Sequence, residues 1–235
     1  MKDLEKAMQE EQLYLTDKFN GIDTALINRL TPYGYDTLKE YFDDKRAYLF
    51  SQWKPEVYPI AIEDLTVGLE DAIKNEKYGI YISVAKGLYA FHGGDEINYK
   101  QCEEDGIYVA ELYHQGGTII GSEKDFGIEI VAPRNLELKT KDFLDKFCEI
   151  ISRYEDNVVI AGNDILVDGK KVLGSMRRDV GNAFIWAAQC SFDEYDDIIE
   201  KVCHKKSQKH PGSLKDSQLT RNMLEEEIVK WLQKH

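Results

Sequence analysis

Residues 163–178 read NDILVDGKKVLGSMRR. Two apolar runs, DILV and KVLGSM, flank Asp168-Gly169. An Asp-Gly pair so placed is the strongest short-range signal for a β-hairpin, because both central residues of a type I′ turn need positive φ. This feature constrains the chain more than any other. It commits the stretch to an antiparallel pair and sets Lys170 and Lys171 just past the turn, near the start of a strand.

The neighbouring sequence has the same character. GIYISVA (79–85) and DGIYVAELY (105–113) alternate, and LYAFHGG (88–94), GGTII (116–120) and FGIEIVA (126–132) are short apolar runs bounded by turn residues. NVVIA (157–161) and AFIWAAQCSF (183–192) follow on either side of the hairpin. Short strands with turn signals between them predict an antiparallel or mixed sheet.

Helical spacing predicts helices over 1–20, over 36–50 and over 62–75. A fourth is predicted with Thr140 as its cap and Phe143, Leu144, Phe147, Ile150 and Ile151 inward. A fifth starts at Ser191 or Asp193 and carries Ile198, Ile199 and Val202. The last uses Leu224, Ile228, Trp231 and Leu232. Strands interrupted by helices without regular βαβ alternation predict an α+β fold, a mixed or antiparallel sheet flanked by helices. The expected division is an N-terminal helical extension over 1–52 and one domain over 53–235.

Composition narrows the partners. With 43% hydrophobic and 31% charged residues, the chain can bury a core. Its net charge of −13 argues against binding nucleic acid, which relies on clustered Lys and Arg. No apolar run approaches the length of a membrane helix. The charged N-terminus lacks a signal-peptide centre. Cys102, Cys148, Cys190 and Cys203 are widely spaced, as expected of free thiols in a cytoplasmic protein. His92, His114, His204, His210 and His235 show no paired spacing for zinc.

The hairpin can carry chemistry. Lys171, held by a strand, can act as a fixed positive charge on a polarised carbonyl or phosphate oxygen. Gly174 and Ser175 allow close backbone approach. Arg178 offers a bidentate donor for carboxylate or phosphate. Asn163 and Asp164 bring an amide and a carboxylate, which suit a magnesium ion or a base edge. The plain alternative is a surface hairpin with solvated lysines. Asp164 can equally be a capping residue, and Trp186 on its alternating strand is either core or a pocket wall.

NDILVDGKKVLGS resembles the signature of the biotin–lipoate protein ligase superfamily, an Asn-Asp and apolar strand, a short turn, then Lys-[Val/Ile]-x-Gly. GSMRR (174–178) looks like the lipoate–protein ligase version, which closes on Gly-Ser-Ala-Tyr-Arg. EEDGIYVAELYHQGGTIIGSEKDFGIEI (103–130) is similar to that family's strand and glycine loop. DLTVGLEDAI (64–73) is similar to its first-helix motif. The resemblance spans about residues 55–210. The chain departs from it at Leu112-Tyr113-His114-Gln115-Gly116-Gly117, where the family has Arg-Arg-x-Gly-Gly-Gly, and at Phe184–Cys190, where it has Phe-His-His-Gly-Thr-Leu-Leu.

The resemblance implies a ligase catalytic-domain fold with a core like that of class II aminoacyl-tRNA synthetases. It implies ATP-dependent activation of lipoate, or a related acyl acid, to acyl-AMP and transfer to a lysine of an acceptor protein. Lys171 is then the catalytic lysine. Gln115, Gly116, Gly117, Thr118, Asn163, Asp164, Gly174, Ser175, Arg178 and Trp186 are expected to bind ATP or the acyl-adenylate, with Asp164 on Mg2+. The implied partners are a lipoyl-domain-like acceptor and a separate accessory chain, since no C-terminal accessory domain is expected after the final helix. Octanoyl or biotin transfer is an alternative, as is a non-catalytic relative serving as a binding or scaffold module.

Overall fold

The computed structural model describes residues 26–28, 42–51, 54–58, 78–85, 87–92, 97–112, 118–133, 138–180, 183–204, 209–232 and 234. The helices expected over 1–20 and 62–75 lie outside these residues.

Among the described residues the strands are β1 (Leu26–Asn28), β2 (Phe42–Ser51), β3 (Lys54–Tyr58), β4 (Tyr78–Ala85), β5 (Tyr89–His92), β6 (Tyr108–Leu112), β7 (Ile119–Gly121), β8 (Phe126–Pro133), β9 (Val158–Ala161), β10 (Asp164–Val167), β11 (Lys170–Val180) and β12 (Ala183–Cys190). The helices are α1 (Tyr99–Glu104), α2 (Thr140–Ile151), α3 (Asp196–Val202) and α4 (Arg221–Leu232).

Eight strands form one sheet in the order β3-β2-β4-β8-β12-β11-β10-β9. Every neighbouring pair in it is antiparallel. The hairpin is as the sequence requires: Asp168 has φ 49° and Gly169 φ 78° between β10 and β11. A register shift between Ile165 and Leu166 leaves Asp164 opposite Gly174 and Leu166 opposite Lys171.

Alternation along these strands divides the sheet. Leu173 of β11, Phe184, Trp186 and Cys190 of β12, and Phe126, Ile128 and Ile130 of β8 point to one face. α2 and α4 cover it with Phe143, Phe147, Ile150, Leu224 and Ile228. Phe143 stacks on Trp186 with ring centres 4.9 Å apart, and Phe147 lies 5.8 Å from the same indole. Trp231 meets Phe143 edge-on at 5.8 Å. These aromatic contacts join sheet, α2 and α4 into one core.

A second, four-stranded sheet runs β1-β6-β5-β7, with β5 and β6 parallel and the other pairs antiparallel. Its own cluster includes Ala90, Ile107, Val109 and Ile120, with Cys102 from α1 and Val202 from α3. The two sheets meet at Gly121. A Cβ there would lie 2.4 Å from the Tyr89 hydroxyl and 2.6 Å from Gln189 Nε2. Tyr89 Oη donates to Gln189 Oε1 (2.9 Å), and Gln189 Nε2 donates to the Ile120 carbonyl (3.1 Å).

Four expectations are corrected. Phe42–Ser51 is a strand, not the second half of a helix over 36–50; residues 36–41 lie outside the described residues. Helical and strand periods are hard to separate over so short a run, and the ladder offered by β4 decides the outcome. β2 therefore stands inside the larger sheet, not in a helical extension. Thr140 is the first helical residue of α2, not its cap; the Lys139 N–H donates to Asp142 Oδ2 at 2.6 Å. α3 starts at Asp196, after Ser191 and Asp193 have been spent on a loop. α1 was not expected at all: it is six residues long and capped by Asn98, whose Oδ1 accepts from the Gln101 N–H at 3.1 Å.

None of the four cysteines forms a disulfide. Burial pushes the Cys102 thiol up to about 12 and the Cys190 thiol further still, so both stay protonated and unreactive. Among the described residues, no helix is long and apolar enough to cross a membrane.

The aromatic stack carries a clear expectation. Phe143→Ala empties a fully buried site between Trp186 and Trp231 and should cost about 3–5 kcal/mol of unfolding free energy, read from urea denaturation curves. A loss under 1 kcal/mol would contradict the packing described.

Candidate active site

The turn holds Lys171 at the start of β11, and the backbone on its other side is held as well. The Lys171 N–H donates to the His210 carbonyl (2.8 Å), and the Gly212 N–H donates to the Lys171 carbonyl (2.9 Å). The segment Lys209–Gly212 therefore runs beside Lys171, bridged to it in parallel through Pro211. A Cβ at Gly212 would lie 2.6 Å from Lys170 Cβ, so the close approach depends on glycine there.

The Lys171 side chain crosses Gly174. A Cβ added to Gly174 would sit 2.8 Å from both Cε and Nζ of Lys171, and 3.5 Å from Asp164 Oδ1. The ammonium reaches Asp164 Oδ1 at 3.1 Å. The other carboxylate oxygen, Oδ2, accepts from Lys209 Nζ at 2.5 Å, and Lys209 Nζ also donates to the Ala161 carbonyl at 2.7 Å. Asp164 is 16% exposed, while Lys171 and Lys209 are 39% and 36% exposed. One carboxylate thus sits between two ammonium groups, giving a local charge of +1 that water and ligands can reach.

Sequence reasoning named Lys171, Asp164 and Gly174, and the structure brings these three together. Ser175 plays a different part: its N–H and its hydroxyl both donate to the Asn163 carbonyl, at 2.9 and 2.8 Å, closing the open end of the hairpin. Asn163 is exposed. The Arg178 backbone, on β11, pairs with Ile185 of β12. Trp186 is fully buried in the helix-covered core. It lies on the face opposite Gly174 and does not join the cluster. Gln115, Gly116 and Gly117 lie outside the described residues. Thr118 directly precedes β7.

Asp164 was also expected to hold magnesium. Both of its oxygens are engaged by ammonium groups, and among the described residues no group of three or more His, Cys, Asp or Glu side chains could hold a metal. As described, the carboxylate is paired with the two lysines.

Two residues of the site were missed. Lys209 belongs to a polar basic loop with no strand or helix signal, and only the chain path along β11 brings it to Asp164. Gln189 stands opposite Gly174 across β11 and β12; its amide ties to Ile120 and to Tyr89 as described. β7 is thereby tied to the strand pair that carries Gly174.

A second polar knot braces this side of the molecule. Asp125 is 2% exposed. Its Oδ2 accepts from Tyr195 Oη (2.7 Å) and from the Ser122 N–H (3.0 Å), and its Oδ1 accepts from the Phe192 N–H (2.7 Å). Tyr195 Oη also meets Ser122 Oγ at 2.8 Å. Burial pushes the Asp125 carboxyl up to about 6, against the lowering effect of its hydrogen bonds from Tyr195, Phe192 and Ser122. The folded state therefore binds this proton more tightly than the unfolded chain does.

No protein-family model matches the sequence, and no curated protein matches it either. Solved structures do match. P. falciparum LipL1, in complex with lipoate, superposes with a TM-score of 0.56 at 17% identity over 66% of this chain, which spans 48% of that protein's length. A bi-partite lipoate protein ligase from Thermoplasma acidophilum, described with its E2 lipoyl domain, gives 0.55 at 13% identity, covering 70% of this chain and 75% of that one. A lipoate-protein ligase A bound with ATP gives 0.53 at 14% identity, with 70% and 77% covered. The chain has the fold of the lipoate–protein ligases.

Two outcomes are expected. Gly174→Ala pushes against the end of a flexible side chain, so the melting temperature should stay within a few degrees of the parent while a crystal structure shows Lys171 Nζ moved off Asp164. For Asp125→Asn, the stability advantage of the parent over the variant should shrink by about 3 kcal/mol as the pH rises from about 3 to about 7, most of it between 4 and 6, in denaturation curves taken across that range. A pH-independent difference would refute the raised carboxyl.

Proposed function

We propose that this chain is a lipoate–protein ligase-like enzyme that activates lipoate, or a related acyl acid, with ATP and passes the acyl group to a lysine of an acceptor protein. The observation that carries the reading is the Lys171 ammonium, anchored on Asp164 above a residue with no side chain. That arrangement suits an anionic oxygen that must come close to a fixed positive charge.

In the first step the acid's carboxylate oxygen attacks the α-phosphorus of ATP. The bond from that phosphorus to the bridging oxygen breaks, and pyrophosphate leaves with the electron pair. In the second step the neutral amine of the acceptor lysine attacks the acyl carbon. The bond from that carbon to the phosphate oxygen breaks, AMP leaves, and the amine's proton passes to solvent. Negative charge grows on phosphate and carbonyl oxygens in both steps. Lys171 stabilises it there, and because hairpin and loop hold the lysine from both sides, little reorganisation is needed. Magnesium belongs with the triphosphate in this reading, and no step uses it on Asp164.

The fold shared with proteins solved with lipoate and with ATP supports the choice of substrates. The archaeal ligase described with its E2 lipoyl domain supports a lipoyl-domain-like acceptor, and its bi-partite construction supports a separate accessory chain. The replacement of the Arg-Arg pair by Leu112-Tyr113 keeps alive one competing reading, a binding module without chemistry.

Incubation with ATP, Mg2+ and lipoate, octanoate or biotin in turn should yield acyl-AMP, detected by mass spectrometry, with one acid preferred. Lys171→Ala should lower its formation by about 100-fold or more. A folded parent protein that makes no adenylate with any of the acids would favour the binding module.

A further inference from the structure

Lys209 comes from a segment that the reaction does not otherwise need. Yet its ammonium takes the second oxygen of Asp164, while its neighbours His210 and Gly212 bond the backbone of Lys171. We propose that Lys209 is a positioning residue that frees Lys171 for the substrate. This rests on the ligase reading above.

Asp164 is largely shielded from water, at 16% exposed. With Lys171 as its only partner, withdrawing that ammonium toward a substrate oxygen would leave a shielded carboxylate uncompensated, which is costly. Lys209 removes this obstacle. It stays on Oδ2, its own place secured by the Ala161 carbonyl, while Lys171 exchanges Oδ1 for the anionic oxygen of the reacting acid or nucleotide. The cluster also keeps a net positive charge with Lys209 present and would be neutral without it, so the second lysine makes the site attractive to an anion at all.

Asp164 in turn becomes the element that communicates between the lysines. Removing its charge should make Lys209 dispensable, because Lys171 is then no longer restrained. This separates charge compensation from two other roles for Lys209, direct contact with substrate and simple stapling of the 209–212 segment to β9.

The test is a double-mutant cycle on acyl-AMP formation, with ATP, Mg2+ and whichever acid the parent accepts. Each variant is first checked for an unchanged melting transition. Lys209→Met and Lys209→Gln should each lower kcat/KM by about tenfold or more; Gln keeps a donor for the Ala161 carbonyl but not the charge. Asp164→Asn should be the milder single change. Combining Asp164→Asn with Lys209→Met should restore activity to within about threefold of Asp164→Asn alone. Additive losses in the double variant, or a Lys209→Gln protein as active as the parent, would overturn the role given to Lys209 while leaving the ligase reading intact. A parent protein silent with all three acids would overturn the ligase reading and this role with it.

Discussion

Successive residues of a β-strand face opposite sides of the sheet, and this molecule is organised by that rule at two adjacent positions. Leu173 goes into the helix-covered core; Gly174 faces the other way, beneath the Lys171 ammonium. The same division passes across the ladder to β12, where Cys190 and Trp186 join the core and Gln189 turns to the site. Core and site are therefore two faces of one set of strands. The stacking of Phe143 and Phe147 on Trp186 backs the sheet from behind, while Asp164 and the 209–212 segment hold the lysine in front.

Where the residues carried a local rule, the sequence was enough. Asp168-Gly169 dictated the hairpin, its turn type and the place of Lys171. The alternation in 79–85 and 126–132 dictated strands that proved to be neighbours in the sheet. The apolar spacing of 143–151 dictated the helix that covers them. The resemblance through NDILVDGKKVLGS led to the fold. It also gave three residues that do meet, Asp164, Lys171 and Gly174.

What was not legible depends on contacts between distant segments. Nothing near position 209 says that its side chain will reach Asp164; that follows from a backbone path fixed by hydrogen bonds to Lys171. Phe42–Ser51 has apolar spacing that suits a helix as well as a strand, and pairing with β4 settles it. Trp186 illustrates a third kind of gap. Alternation alone marked it most simply as core, which it is, with Phe143 on the face of its ring; the resemblance had also placed it among the residues that bind the adenylate. For Asp164, a carboxylate beside a presumed phosphate site suggested a metal, whereas its surroundings turn out to be cationic.

The glycines at 121, 174 and 212 share one property: each lies where a single methyl group would strike a neighbour within 3 Å. Between them, many strand positions need only alternate, apolar inward and anything tolerable outward. Such a chain has few fixed letters and many free ones. Its sequence can therefore wander far while the backbone stays where it was, and identities of 13–17% to proteins of the same fold are what so sparse a set of fixed positions permits.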